Sequence, residues 1–336
     1  MMKNKDIWTK IHKSVIQLRF AYRVYKNIDK TYGLFLIYWF FKQKLRLLKR
    51  QDWEKRHILI KKILHKEFDN YLTTLTSRPI FNTEKQNTES SPYDGSIWIY
   101  WNNPSTMPAI VKSCISSIYK NSNGKKIIVL NENTLQDYIH IEKHIIEKYR
   151  AGFISKTHFS DIVRISLLAR YGGIWMDATI LQTHKMPDYV ERNDFFTFKL
   201  KIDKPWETIS HGNWCVFFIA CKKGNLLIET TKEMMNEYWK KYDILIDYLW
   251  MDYLWMITSE KIPAIKNMLS QIPQTNPNLF SLKNLDKICT DKEYQEKTQQ
   301  TNTCFYKLSY KSTIGIPLRN KNEKLTLLGQ IIEHNQ

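Results

Sequence analysis

Apolar residues recur at helical spacing in two stretches near the start of the chain. Over residues 5–30 and 50–75 they return every three or four positions, the period of a helix with one buried face. The aromatic run LFLIYWFF fills residues 34–41 between them. The polar stretch 77–95, SRPIFNTEKQNTESSPYDG, interrupts the pattern and predicts a linker. We therefore expect a helical appendage over residues 1–76.

Beyond residue 95, short apolar runs alternate with amphipathic stretches. The apolar runs predict strands over residues 97–101, 126–130, 174–177, 195–200 and 215–220. Helical spacing covers residues 107–119, 135–149, 159–171, 225–241 and 247–259. This alternation predicts an α/β domain over residues 96–320, with a mainly parallel sheet that binds ligands at its C-terminal edge. Residues 270–300 are polar and irregular and predict no element, and residues 321–336 are expected to form a tail.

Composition and cysteine spacing narrow the class of protein. The 336 residues suit one large domain with an appendage, and 43% hydrophobic content excludes a disordered chain. The five cysteines are scattered and lack CxxC spacing, which indicates reduced thiols and a cytoplasmic setting.

The net charge of +18 is concentrated at the N-terminus. Residues 1–70 carry 18 Lys and Arg against 6 Asp and Glu, so they supply +12 of it. The run at 34–41 is far shorter than the ~20 residues that cross a bilayer, but it continues into the basic sequence KQKLRLLKR. That combination favours a helix on an anionic membrane surface, here the inner face of the cell membrane. The alternative is a basic helical hairpin packed on the second domain.

Nucleic acid is not an expected partner. The basic residues are not interleaved with any recognisable nucleic-acid module, and the chain after residue 70 is nearly balanced in charge.

The segment at residues 160–181, SDIVRISLLARYGGIWMDATIL, carries the most specific chemistry. Asp161 and Arg164 are three residues apart, so both project from one helix face. Gly172 and Gly173 suit the left-handed turn that ends helices. A short apolar strand then brings Asp177 to its C-terminal end, where a carboxylate can hold a divalent cation that bridges two phosphates.

This segment resembles the capsular polysaccharide synthesis protein family, a bacterial relative of the DxD sugar-binding glycosyltransferases and, more distantly, of the clostridial glucosylating toxins. Those enzymes have a Rossmann-like nucleotide-diphospho-sugar transferase (GT-A) fold and the pattern SDxxRxxxLxxxGGxxxDxD. The matching positions are Ser160, Asp161, Arg164, Leu168, Gly172, Gly173 and Asp177. Thr179 replaces the second Asp, as it does in the capsular branch. A bound metal would therefore have one carboxylate ligand fewer than in a DxD site. The resemblance covers roughly residues 96–311.

The resemblance implies a hexosyltransferase. Its donor would be a UDP-sugar, UDP-Gal or UDP-Glc, used with retention of configuration. Its acceptor would be a growing capsular or surface oligosaccharide, lipid-linked at the membrane. Asp177 and Thr179 would hold Mn²⁺ or Mg²⁺. The catalytic candidates are Asp177, Asp247, Lys307 and Lys311, and the donor-binding candidates are Trp98, Asn131, Asn133, Asp161, Arg164, Trp175, Thr179 and Asn213.

Several candidates have a structural alternative. Trp98 falls where the toxin relatives stack a Trp on uracil, but a first strand is also buried on both faces. Asn133 could bind the nucleoside or cap a helix, and the same choice applies to Asp247 near the donor sugar. Asp161 and Arg164 could form an ordinary exposed ion pair. Asp252, five residues after Asp247, is not expected to act with it as a pair.

Lys307 and Lys311 belong to the sequence KLSYK, which resembles a C-terminal element of the family. A cation there could neutralise the departing diphosphate.

Two other functional classes are compatible with the sequence. One is a metal-dependent sugar-phosphate transferase of cell-wall assembly that uses Asp177. The other is a non-catalytic, membrane-associated assembly factor, which the missing second Asp would suit.

Overall fold

A computed structural model of the chain describes residues 2–76 and 94–336, with side chains described from residue 11 onward in the first helix. Residues 77–93, most of the predicted linker, lie outside the described residues. The N-terminal region is helical as predicted, with α1 (Met2–Asn27), α2 (Lys30–Lys44) and α3 (Arg50–Thr76). Among the residues that the structure describes, no helix has both the length and the hydropathy to cross a membrane.

The aromatic run lies inside α2. Asp29 caps this helix, because its side chain accepts a hydrogen bond from the Tyr32 N–H at 2.7 Å. The run has two faces: Phe35, Leu36, Trp39 and Phe40 are buried, and Leu34, Tyr38 and Phe41 are exposed.

Within residues 2–76 and 94–336, seven strands form two sheets. They are β1 (Ile97–Tyr100), β2 (Ile127–Leu130), β3 (Gly173–Met176), β4 (Ile180–Gln182), β5 (Phe195–Thr197), β6 (Phe218–Cys221) and β7 (Phe305–Lys307). Five of them pair in the order β2-β1-β3-β6-β5, and the other two form an antiparallel pair, β4 with β7. In the large sheet β1 is parallel to β2 and β3, whereas β6 is antiparallel to both of its neighbours. Only β6 is therefore reversed among these five strands, and the predicted mainly parallel α/β class is confirmed.

The remaining described helices follow β1 along the chain. They are α4 (Ala109–Asn121), α5 (Lys143–Arg150), α6 (Lys156–Tyr171), α7 (Leu226–Lys241), α8 (Trp250–Lys261), α9 (Pro263–Ser270), α10 (Asp291–Thr298) and α11 (Leu327–His334). The helix expected over residues 135–149 forms only from Lys143, after a short 3-10 turn. The helix expected from Asp247 begins at Trp250, since the Asp247 carboxylate instead accepts a hydrogen bond from the Leu249 N–H at 2.8 Å.

The end of the chain is part of the packed domain. Residues 321–336, expected as a tail, contain α11, which packs on α4. Its apolar residues Leu327, Leu328, Ile331 and Ile332 are buried. Within residues 270–300, where the sequence predicts no element, α10 begins with a capping box between Thr290 and Glu293. All five cysteines are buried and free, which agrees with reduced thiols.

Two apolar cores cover the two faces of the large sheet. Because successive strand residues point to opposite faces, Trp98 and Tyr100 of β1 enter one core while Ile97 and Ile99 enter the other. The Trp98 core also contains buried residues of α1, α2 and α3. The N-terminal helices therefore share a hydrophobic core with the sheet, as the packed-hairpin alternative expects.

A buried ion pair joins α3 to the segment just before α8. Arg56 pairs with Asp247, whose side chain is 1% exposed, and its guanidinium lies 5.0 Å from the ring centre of Trp39. Next to it, His57 Nδ1 lies 2.6 Å from the Tyr253 hydroxyl oxygen. Polar contacts thus fix the N-terminal helices to the sheet domain in one orientation.

We predict that Arg56→Met lowers the free energy of unfolding by about 3 kcal/mol, because it leaves the Asp247 carboxylate buried without its cation. Denaturant unfolding of the full chain measures this loss. Arg50→Met is the matched control: the Arg50 side chain is 67% exposed in its pair with Glu54, so its removal should cost less than about 1 kcal/mol. Equal losses for the two variants would contradict the structural role of the buried pair.

Candidate active site

A tight turn between α6 and β3 positions the most specific motif of the sequence. Gly172 and Gly173 both have positive φ, at 68° and 93°. A Cβ on Gly172 would lie 2.5 Å from the backbone nitrogen of Lys223, so this turn requires glycine. The strand that follows ends at Met176, and the Asp177 N–H donates to the Phe217 carbonyl at 2.9 Å. Asp177 therefore lies at the C-terminal end of β3, as predicted.

Arg164 links two carboxylates at this end of the sheet. Its guanidinium is 4% exposed and donates to Asp161 Oδ1 at 2.6 Å and to Asp177 Oδ1 at 2.9 Å. Trp175 supports the same contact, since its indole N–H donates to Asp177 Oδ1 at 3.0 Å and its ring centre lies 4.9 Å from the guanidinium carbon. The Asp161–Arg164 pair is therefore part of a buried cluster, unlike the exposed ion pair of the structural alternative.

Burial shifts the pKa values of Asp161 and of the neighbouring His158. Desolvation raises the pKa of Asp161 above its ordinary value, while the Arg164 guanidinium opposes that rise. Desolvation also lowers the pKa of the neighbouring His158. Both shifts indicate an apolar environment, in which hydrogen bonds and charges act strongly on a bound ligand.

Lys307 joins the cluster from β7. Its ammonium donates to Thr179 Oγ1 at 2.6 Å and lies 3.8 Å from Asp177 Oδ2. It also lies 5.5 Å from the ring centre of Phe217. The structure thus brings Lys307 from a distant part of the chain to four predicted residues that are close in sequence: Asp161, Arg164, Asp177 and Thr179.

A further buried carboxylate, Asp252, lies near enough to Asp161 to interact with it and was not among the predicted residues. Its Oδ1 accepts a hydrogen bond from the Trp214 indole at 2.9 Å, and burial raises its pKa to about 7, with a smaller contribution from Asp161. A carboxylate within the apolar helix sequence WMDYLW is itself a signal, because Asp is rarely buried without a partner. Asp247, which the sequence favoured, instead pairs with Arg56.

Trp98 is a core residue in this structure. Its side chain is fully buried, its indole donates to the Gly172 carbonyl at 2.9 Å, and Tyr171 stacks on it at 5.3 Å. Because neighbouring rings cover its faces, the proposed stacking on uracil does not fit. Trp101, at the end of the same strand, is half-buried and meets Tyr310 edge-on at 5.2 Å.

The other predicted residues lie away from these contacts. Asn131 closes a local turn, because its side chain accepts hydrogen bonds from the N–H groups of Asn133 and Thr134. Asn133, Asn213 and Lys311 are exposed.

A cavity of about 310 Å³ opens at the other end of β3. Gly173, the first residue of the strand, lines it together with an ion pair between Lys125 and Glu191. It is therefore separated from Asp177 by the length of the strand.

The donor set does not fit the predicted Mn²⁺ or Mg²⁺ site. Asp177 Oδ1 already accepts from Arg164 and Trp175, and its Oδ2 and the Thr179 hydroxyl both face the Lys307 ammonium. Across residues 2–76 and 94–336, no group of three or more His, Cys, Asp or Glu side chains could hold a metal ion. A Mg²⁺ or Mn²⁺ ion on a diphosphate needs only one or two oxygen ligands from the protein, but here the Lys307 ammonium faces the oxygens that are available.

Comparison with known protein families agrees with the motif. A model of the family described as capsular polysaccharide synthesis protein matches residues 22–323, which extends the resemblance from the sheet domain into the N-terminal helices. A curated relative, Subversion of eukaryotic traffic protein A of Legionella pneumophila subsp. pneumophila, is 32% identical over 78 residues. That match covers 23% of this chain and 11% of the relative.

A solved structure titled PaToxG Glycosyltransferase is also similar. It is 15% identical, the match covers 73% of this chain and 95% of that chain, and the TM-score is 0.34.

We predict that Asp252→Asn is more stable than the wild type at high pH. Because burial raises the folded pKa from 3.8 to about 7, Asp252 binds its proton more tightly in the fold than in the unfolded chain. The associated stability is complete below pH 3.8 and is lost as the pH rises to about 7. The Asn side chain does not titrate, so the variant does not lose this stability as the pH rises. Its melting temperature should therefore exceed that of the wild type by a few degrees at about pH 8 and match it near pH 4.

Thermal denaturation across this range is the measurement, with the exposed Asp286→Asn as control. A difference between wild type and Asp252→Asn that does not change with pH would refute the raised pKa.

Proposed function

Because the chain belongs to the capsular polysaccharide synthesis protein family, we propose that it is a glycosyltransferase. It moves a hexose from a UDP-sugar, UDP-Gal or UDP-Glc, to a hydroxyl of a growing capsular or surface oligosaccharide. The observation that carries this proposal is the buried Asp161–Arg164–Asp177 cluster with Lys307 beside it. Two carboxylates and two cations at the C-terminal end of a strand suit a ligand that has both sugar hydroxyls and a diphosphate.

Each member of the cluster has a role in this proposal. Asp161 and Arg164 bind hydroxyls of the donor sugar, because a rigid pair of opposite charges both accepts and donates hydrogen bonds. Asp177 orients the sugar and the cationic side chains around it. Lys307 neutralises the negative charge that develops on the departing UDP, which is electrostatic stabilisation of the transition state.

Trp101 provides an aromatic surface for the nucleobase. It lies at the C-terminal end of β1, next to β3 in the sheet, and is half-buried. A partly exposed indole offers the flat apolar area that a uracil needs, in contrast to the covered ring of Trp98. The reaction retains configuration, with front-side attack by the acceptor and no dedicated protein base, as the family resemblance implies.

The enzyme works at the inner face of the cell membrane, where a lipid-linked acceptor is presented. Exposed apolar residues follow α2 and the turn after it: Leu34 is 58% exposed, Phe41 55%, Leu45 66% and Leu47 53%. Basic residues alternate with them in the sequence KQKLRLLKR. Apolar side chains beside cations are the combination that binds an anionic lipid surface.

We predict that Asp177→Asn reduces UDP-sugar turnover by more than about tenfold while the protein stays folded, since it removes the charge that Arg164 and Lys307 face. Release of free UDP from a panel of UDP- and GDP-sugars is the assay, and circular dichroism checks the fold. The exposed Asp286→Asn should retain full turnover.

Free UDP as the product would exclude the sugar-phosphate transferase. UDP binding without UDP release from any sugar donor would favour the assembly factor. If Asp177→Asn keeps more than about a tenth of wild-type turnover, the role of Asp177 is wrong.

We predict that the double variant Leu34→Ser/Phe41→Ser binds vesicles containing phosphatidylglycerol at least about tenfold more weakly than the wild type, because it removes apolar area from the membrane-facing side of α2. Co-sedimentation with vesicles measures binding, and UDP release in solution should be unchanged. Ile288→Ser, which removes an exposed apolar residue from another part of the surface, should bind like the wild type. Equal sedimentation of all three proteins would rule out this membrane surface.

A further inference from the structure

The position of Lys307 is fixed by backbone pairing. Strand β7 pairs with β4 in the register that places Lys307 opposite Ile180, the residue after Thr179. The Leu308 N–H then donates to the Thr179 carbonyl at 2.9 Å. The ammonium of Lys307 is held between Thr179 Oγ1 at 2.6 Å and the Leu308 carbonyl at 3.0 Å. The sheet therefore places Lys307 beside Thr179.

Thr179 stands where a DxD motif has its second Asp. With Thr there, the cluster contains two carboxylates, Asp161 and Asp177, and two cations, Arg164 and Lys307. The cluster is balanced in charge, so it lacks the excess of negative charge that attracts a divalent cation. A metal bound by Asp177 Oδ2 and Thr179 would also have to displace the Lys307 ammonium, or repel it.

We propose that Lys307 replaces the divalent cation of a DxD site, so that this enzyme binds and cleaves its donor without a metal. The proposal rests on the proposed glycosyltransferase function and specifies its electrostatics. A Lys ammonium binds phosphate as a compact positive charge, and it carries that charge without needing carboxylates to hold it.

The transfer step balances without a metal. The bond between the anomeric carbon and the β-phosphate oxygen breaks, and its electron pair stays on that oxygen, which Lys307 stabilises. The acceptor hydroxyl oxygen forms the new bond to the anomeric carbon. The hydroxyl proton passes to the departing phosphate oxygen, and Lys307 keeps its own protons throughout.

The experiment measures UDP binding to the full chain by calorimetry, in EDTA and in Mn²⁺. We expect the wild type to bind UDP with a Kd that differs by less than about twofold between the two conditions. Lys307→Gln should weaken UDP binding at least about tenfold in both conditions. Lys292→Gln, which removes an exposed positive charge on α10, is the matched control and should bind as the wild type does.

A second variant tests the exchange of lysine for metal directly. Thr179→Asp/Lys307→Gln restores the second carboxylate and removes the ammonium, so it should bind UDP at least about tenfold more tightly in Mn²⁺ than in EDTA. This expectation does not depend on turnover.

The possible outcomes distinguish a failure of this inference from a failure of the proposed glycosyltransferase function. A wild type that binds UDP tenfold more tightly in Mn²⁺ overturns the inference and leaves the glycosyltransferase in place. A double variant with no response to Mn²⁺ also overturns it, because Lys307 and Thr179 would then not occupy the metal position. A wild type that binds no UDP in either condition removes both the function and the inference.

Discussion

The site depends on one buried cation shared by two carboxylates. The Arg164 guanidinium is almost without solvent, and burying such a charge is costly unless it is paired and hydrogen-bonded. Asp161 and Asp177 provide the pairing, and the ring of Trp175 lies beside it. Because Asp161 is on α6 and Asp177 follows β3, the contact joins the two elements on either side of the Gly172-Gly173 turn. Removal of either carboxylate would leave the cation underpaired, so the geometry of the cluster is strongly specified.

The parts of this arrangement that are close in sequence could be predicted from it. Asp161, Arg164, the two glycines and Asp177 lie within seventeen consecutive residues, and local rules of helix face, helix end and strand end place them. The contribution of Lys307 was indicated only by a family resemblance. Its contact with Thr179 spans 128 residues, and no local rule reveals which strand pairs with β4.

The alternatives that the sequence left open concern residues whose surroundings come from distant segments. An apolar strand predicts burial but does not tell whether the faces of a tryptophan ring are covered. The sequence therefore could not show that Tyr138 and Tyr171 contact the Trp98 ring. The sequence also could not distinguish the roles of Asp247 and Asp252, because these depend on their partners. Arg56 forms an ion pair with Asp247, and the Trp214 indole donates to Asp252. The apolar pattern also could not predict the reversed direction of β6, because a buried strand has the same pattern in either direction.

The ion pair between Arg56 and Asp247 spans 191 residues, and this separation has a consequence for synthesis. A ribosome makes α1, α2 and α3 before α8, yet α8 packs on α3 in the folded chain. During that interval α3 lacks the helix that packs on it, and exposed apolar surface is the condition under which partly made proteins aggregate or recruit chaperones. The basic residues of the same helices repel other nascent chains. The charge of the N-terminus thus protects the chain from self-association until its partner helix has been translated.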